Sequence, residues 1–444
     1  MDGTLHQNEI ISLLDEKRTI SSTIKFSSLL GSITITKLVI FLVGFSDGLT
    51  HLATLAIYYL LKDDLRLSPP EVSVIYAIPA IPWFLKPLFA FCSDSIPIAG
   101  MRRKPYLIFF SILQVIGFLL LATNADTVFK AAVCLLLISL SAAFCSSIAE
   151  ALVVETSGIN GGAETVSDYF GSKALGALAT AYFSGSLLDT YSKQGIFLTT
   201  SIFPLFVFIA CLIMDDKKQT EDLTAKNQLF SLKEFLKKPI IWGPAIYIFT
   251  YTAGPDYDDA MFFYFTNRLG FSPTFMGSLR LTYGIAGIIG IVLYRIILKK
   301  TPFREILLWT TLFSIPIYIL PLALVTGLNL NMGISNRMFA LSGGFLIEAI
   351  AEIQLLPLLV MTAKFCPKGL EGSVYAVMMS IRSLGIGVSK VISAGLAYSL
   401  GITAFNFSNL GLLIWISSAF LLLPLFFLNL VVNEEEIQST ENQV

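Results

Sequence analysis

What most limits this chain is the recurrence of long apolar runs separated by short polar breaks, from residue 38 to residue 430. Each run has about twenty residues, the length an α-helix needs to cross ~30 Å of hydrocarbon. The runs fall near 38–61, 72–91, 106–122, 128–149, 169–188, 195–214, 241–265, 274–298, 306–324, 338–365, 373–400 and 406–430. Apolar residues make up 55% of the chain and charged residues 14%, against about 25% charged in an ordinary soluble domain. A soluble core of that composition would leave too much apolar surface in water. The expected fold is therefore an all-α membrane protein of twelve transmembrane helices.

The polar segments organise those helices. Residues 215–239 form the one extended hydrophilic interruption, with six lysines and five acids. It divides the chain into two six-helix halves, 38–214 and 240–430. A charged linker between two such halves is the major facilitator layout, in which parallel repeats rock about a central site. Residues 1–37 have neither a signal peptide's apolar core nor a transit peptide's Arg-rich bias, and they read as a cytosolic tail. Glu9-Ile10-Ile11-Ser12-Leu13-Leu14 within it has the spacing of an acidic dileucine sorting signal, and fits an amphipathic juxtamembrane segment better. Residues 431–444 form an acidic tail. With the N-terminus inside, inner segments hold nineteen Lys and Arg and outer loops six. By the positive-inside rule both tails and the linker are cytosolic, and the expected location is a plasma membrane, as a monomer. Basic clusters recur after spans 2 and 8, at Arg102-Arg103-Lys104 and at Lys299-Lys300 with Arg304, as a repeat requires.

Several function classes drop out. The five cysteines are scattered singly, with no CxxC pair, and read as small packing residues. Two histidines cannot assemble a metal site, so neither metal nor cofactor is expected. There is no P-loop to drive transport by nucleotide hydrolysis and no nucleophile elbow to suggest an enzyme. A net charge of −1 offers no field for nucleic acid. The partners left are the bilayer, a small-molecule substrate and protons.

Two long blocks carry a resemblance. One is Ile81-Pro82-Trp83-Phe84-Leu85-Lys86-Pro87-Leu88, continuing to Ser93-Asp94 and Arg102-Arg103-Lys104-Pro105-Tyr106. The other is Leu356-Pro357-Leu358-Leu359-Val360 followed by Lys364-Phe365-Cys366-Pro367-Lys368-Gly369-Leu370-Glu371-Gly372. Together with Tyr59-Leu60-Leu61-Lys62-Asp63-Asp64-Leu65 and Met261-Phe262-Phe263-Tyr264-Phe265, they closely resemble the folate–biopterin transporter family of major facilitators. Ala90, Asp47 and Glu150 stand where that family more often has glycine, glutamine and aspartate. The resemblance implies alternating-access transport of folates or pterins, with p-aminobenzoate as a further candidate and protons as the coupling ion. In major facilitators the acid and bases of the loop after span 2 latch neighbouring helices, which makes Asp94, Arg102 and Arg103 gating candidates. Carriage of another small organic solute is the rival reading. A receptor or scaffold fits less well, because inert bundles have no reason to hold charge inside the membrane.

Ionised residues at bilayer depth cost about 2.5–3.5 kcal/mol each and normally meet a partner or a water-filled cavity. Five basic residues fall inside spans, clear of the loops and span ends: Lys86, Lys173, Arg280, Arg382 and Lys390. A folate tail has two carboxylates, so Lys86 and Arg382, and with them Lys390, are the expected substrate contacts. Trp83 beside Lys86 is placed to stack on a flat pterin ring. Asp47, with His51 one turn on, is the expected proton site, ahead of Glu352 and Glu348. Those two acids lie on one face of span 10 and equally fit simple neutralisation of Arg382 and Lys390. Glu150 and Lys173, near the cytosolic ends of spans 4 and 5, read as a snorkelling or paired structural set, and Asp256, Asp258 and Asp259 as residues meeting water near the outer end of span 7.

Overall fold

A computed structural model describes residues 35–160, 162–214, 239–298, 301–364 and 371–431. The amino-terminal segment through residue 34 with its dileucine pattern, nearly all of the linker, residues 365–370 and the tail from 432 lie outside the described residues. Ten helices among those described are long and apolar enough to cross a membrane. In the first half they are α1 (Ile35–Asp64), α2 (Pro69–Ser93), α3 (Lys104–Asn124), α4 (Val128–Val153) and α6 (Lys193–Ile213). In the second they are α8 (Pro273–Leu298), α9 (Phe303–Thr326), α10 (Asn336–Leu358), α11 (Ala376–Ser399) and α12 (Leu410–Leu430). Two further rods complete twelve. One is α5 (Gly162–Thr190), and the other is span 7, split into α7a (Pro239–Thr252) and α7b (Asp258–Phe263).

The two halves repeat each other in detail. Leu65-Arg66-Leu67-Ser68-Pro69 joins α1 to α2, and Leu269-Gly270-Phe271-Ser272-Pro273 joins span 7 to α8. Each preceding helix widens into a π-turn, Leu60–Asp64 and Tyr264–Arg268. The chain then reverses through one left-handed residue, Arg66 at φ 54° and Gly270 at φ 66°. The next helix starts from a serine followed by proline, which fixes a helical φ and needs no N–H partner. The matching backbone bonds are Leu67 N to the Leu61 carbonyl at 3.0 Å and Phe271 N to the Phe265 carbonyl at 2.9 Å. The basic clusters repeat as well. Lys104 donates to the carbonyls of Leu212 and Met214 at the end of α6, both at 2.8 Å. Arg304 donates to the carbonyls of Val431 and Asn429 at the end of α12. Each cation satisfies helix-end carbonyls left without intrahelical partners.

Glycines bring particular helices close enough to place charges. A Cβ on Gly48 would collide with the Lys173 carbonyl, and one on Gly176 would lie 2.6 Å from the Phe45 carbonyl oxygen. This seam seats α1 directly against α5. In the second half Gly287 and Gly290 of α8 lie against Glu352 and Ala349 of α10. Between the halves, Gly185 of α5 meets Gly277 of α8 backbone to backbone. Helix α2 bends twice, with regular pieces Pro69–Ala77, Ala80–Phe84 and Lys86–Ser95. Ser139 of α4 donates to the carbonyl of Pro79 at that bend, at 2.6 Å. Gly254-Pro255 breaks span 7, and α11 repairs the break. Ser389 donates to the Gly254 carbonyl at 2.6 Å, while Ser393 accepts from Asp256 N at 2.8 Å. Irregular backbone at membrane depth survives only with such partners.

Candidate functional site

In the first half, four charges form two interhelical pairs around one indole. Lys173 of α5 lies 2.6 Å from Asp47 of α1, across the glycine seam. Lys86 of α2 lies 2.7 Å from Glu150 of α4 and donates to Ser146 at 3.1 Å. The ring of Trp83 has the Lys86 ammonium 5.0 Å and the Lys173 ammonium 5.2 Å from its centre. Both fall within cation–π range. Tyr169 closes the cluster through a 3.0 Å hydrogen bond with Ser146. Glu150 and Lys173 therefore are paired, but not with each other, because four separate helices contribute the four groups. His51 is more than a third exposed although it lies mid-helix, with Asp47, Lys173 and Arg280 in electrostatic reach.

The second half places its charges differently from the expectation. Asp259 does not meet water: it is 2% exposed and anchors a latch between the halves. Its Oδ1 accepts from Tyr58 of α1 at 2.7 Å, and its Oδ2 accepts from Ser73 of α2 at 2.7 Å. Lys390 of α11 completes the hub at 2.9 Å from Asp259 and 3.2 Å from Asp256. Lys390, expected to hold substrate, is thus held by two carboxylates of span 7, and it neutralises those rather than Glu348 or Glu352. Lys62 adds a further bond across the halves, donating to Asn267 at 2.9 Å. These contacts cluster at the end of the bundle away from the 215–239 linker. Of the three span-7 acids, Asp258 alone is exposed, and it has Tyr283, Tyr318 and Glu348 in electrostatic reach.

Arg382 of α11 stands apart from these pairs. Its Nε is buried without a hydrogen-bond partner, and among the described residues no carboxylate lies within ion-pair distance. Lys173 of the opposite half and Glu352 of α10 are in electrostatic reach. Glu348 and Glu352 share a face of α10 and feel each other, and neither has an ion-pair partner among the described residues. At the linker end Arg103 is buried and donates to Ser93 at 3.2 Å. Arg102 also makes contacts there, and the side chain of Asp94 is outside the described ones. Sequence reasoning missed the Tyr58 and Ser73 donors, which look like ordinary polar residues of amphipathic stripes. It also passed over Lys173 and Arg280 as site residues, though both stand out as charges inside apolar spans.

The chain is 50% identical over 411 residues to folate transporter 2 of Plasmodium falciparum, covering 92% of this chain and 90% of that one. It is 35% identical over 400 residues to a folate-biopterin transporter of Synechocystis, covering 89% and 81%. A D-xylose-proton symporter superimposes with a TM-score of 0.68 at 14% identity, over 89% of this chain and 97% of that one. The nucleoside transporter NupG does so at 0.65 and 14%, over 90% and 98%. At such identities these two likenesses establish the major facilitator fold and nothing about substrate. The model of the BT1 family matches residues 47–444, from Asp47 in the paired cluster to the end of the chain, and the protein belongs to that family of folate–biopterin transporters.

Proposed function

We propose that this protein is a secondary active transporter of folates or related pterins, moving them by alternating access together with protons. The central site carries the reading. An indole face flanked by two ammonium groups, with tyrosines nearby and an arginine lacking a carboxylate partner, suits a flat heteroaromatic solute bearing carboxylates. The names of the relatives support the same substrate class. Trp83 and Arg382 are the principal substrate residues, and Lys86 and Lys173 join them when their carboxylates let go. Lys390 we assign to the latch. Coupling follows from charge. Entry of a dianion against 100 mV costs ~4.6 kcal/mol, at ~2.3 kcal/mol per charge. Co-entering protons offset that cost. Asp47 is the first candidate carrier because protonating it would release Lys173, with Glu352 and Glu348 behind it and His51 as a relay. Arg102, Arg103 and Asp94 would act at the linker-end gate. We place both termini in the cytosol and the protein in the plasma membrane as a monomer.

Vesicles containing the purified protein test this reading. Labelled folate, biopterin and p-aminobenzoate are offered with and without an imposed pH gradient. Folate or biopterin accumulating only with the gradient is the expected result. Accumulation of neither, by protein that is folded and inserted, would return the assignment to another organic solute.

A further inference from the structure

Away from the span ends the described residues include five basic side chains, and three of them are matched by carboxylates: Lys86, Lys173 and Lys390. Among the described residues Arg382 is not, and neither is Arg280 of α8. The Arg280 guanidinium crosses from the second half to the first, where Nη1 donates to Ser184 Oγ of α5 and Nη2 to the carbonyl of His51 in α1, both at 3.3 Å. Both bonds are long, and both acceptors are neutral. Tyr58 and Tyr76 lie in electrostatic reach, and their stacked rings, 4.5 Å apart, form an aromatic wall beside it. The Tyr76 hydroxyl is buried with no hydrogen-bond partner. A guanidinium has five donors and favours a carboxylate gripped by two of them. At membrane depth, leaving that capacity on long bonds to neutral groups is costly unless something else fills it.

We propose that Arg280 is a second anion-binding prong of the central site, working with Arg382 to hold the two carboxylates of a dianionic substrate tail. The proposal rests on the folate–pterin reading and deepens it. Arg280 is bonded to the carbonyl of His51 in α1, and Arg382 has Lys173 of α5 in electrostatic reach. The two carboxyl carbons of a glutamate tail, four C–C bonds apart, are separated by ~5 Å when extended. Both arginines belong to the second half; Arg280 bonds to the first and Arg382 has Lys173 of the first in electrostatic reach, so a tail held between them would touch both halves. Neutral pterins would use Trp83 and the tyrosines and leave both prongs empty.

The test is a selectivity measurement in vesicles with folate, folate amidated at its γ-carboxyl, and biopterin, which bear two, one and no tail carboxylates. Arg280→Ala should raise the folate KM about tenfold or more, a loss typical of one charge-assisted hydrogen-bonded contact. Biopterin should change less than twofold, and its transport reports that the variant is folded. Arg280→Lys, which keeps the charge without the fork, should fall between wild type and Arg280→Ala for folate and match wild type for biopterin. The γ-amide should lose less than folate on either Arg280→Ala or Arg382→Ala. An unchanged folate-to-biopterin KM ratio in both Arg280 variants, or equal collapse of both substrates in both, overturns the prong and leaves folate transport standing. Wild-type protein that carries no pterin overturns both.

Discussion

The Asp259 hub makes a quantitative claim about the transport cycle, because its two donors from the first half can be removed without touching its charge. Tyr58→Phe deletes the hydroxyl that donates to Oδ1 at 2.7 Å and keeps the ring that stacks on Tyr76. A hydrogen bond to an ionised group contributes about 1.5–3 kcal/mol net, so loss of this one should weaken the closed latch by ~2 kcal/mol. Asp259 stays paired with Lys390, so the fold should hold. At 1.4 kcal/mol per decade, ~2 kcal/mol is a ~30-fold shift toward the state open at that end. Adding Ser73→Ala removes the donor to Oδ2 and should bring the total to about a thousandfold. The assay uses a cysteine at position 51, in a background with the five native cysteines replaced, and an impermeant maleimide applied from the face opposite the linker. Labelling should quicken by about those factors, saturating once the open state dominates. Tyr59→Phe is the control, since Tyr59 donates nothing to the hub. The reasoning fails if the Tyr58→Phe, Ser73→Ala double variant labels at the parental rate, or if Tyr59→Phe quickens labelling as much.

Three further outcomes are expected. Lys86→Ala should lower the melting temperature markedly, because breaking a buried pair costs about 3–5 kcal/mol, while Lys86→Met with Glu150→Gln should recover most of it; calorimetry in detergent reads both. Gly48→Leu should wedge α1 from α5 and take Lys173 off Asp47, lowering thermal stability by about 1–3 kcal/mol or more and abolishing uptake even in protein that reaches the membrane. Asp47→Asn should end pH-driven accumulation yet leave substrate exchange partly intact; retained accumulation with the same pH dependence would pass the coupling role to Glu352.

Most of the fold is legible in the sequence because the bilayer imposes so few solutions. Apolar runs of the right length, a charged linker and matched basic clusters lead to two six-helix halves with no reference to contacts. The break at Gly254-Pro255 is visible too, since no span can carry that dipeptide and remain regular. What the break does is another matter. Three aspartates following it look like a helix start meeting water, and Asp258 is indeed accessible. Asp259, next in the chain, points the other way around α7b and is sealed between α1, α2 and α11. Adjacent residues on a helix differ by ~100° in direction, so one residue separates an exposed carboxylate from the latch.

The site was legible as a set of charges and illegible as a set of pairs. Spacing along one helix shows which residues share a face, as with Glu348 and Glu352, but the partner of a membrane charge sits on another helix at a depth that spacing does not report. Lys390 illustrates this: the sequence set it against the acids of α10, whereas the packing of α11 against the broken helix gives it Asp256 and Asp259. Lys173 and Glu150 likewise exchange the expected bond with each other for bonds to Asp47 and Lys86, because the Gly48–Gly176 seam fixes α5 against α1. Once those pairs are set, the unmatched charges become informative. Among the described residues, the cations deep in the spans without carboxylates are both arginines of the second half, and Arg280 already bonds to the first. A pair already satisfied must be broken before it can serve a substrate, whereas an unmatched guanidinium gains a partner when substrate arrives. That difference in starting state is why Arg382 and Arg280, rather than the more conspicuous lysines, are where substrate charge should be felt first.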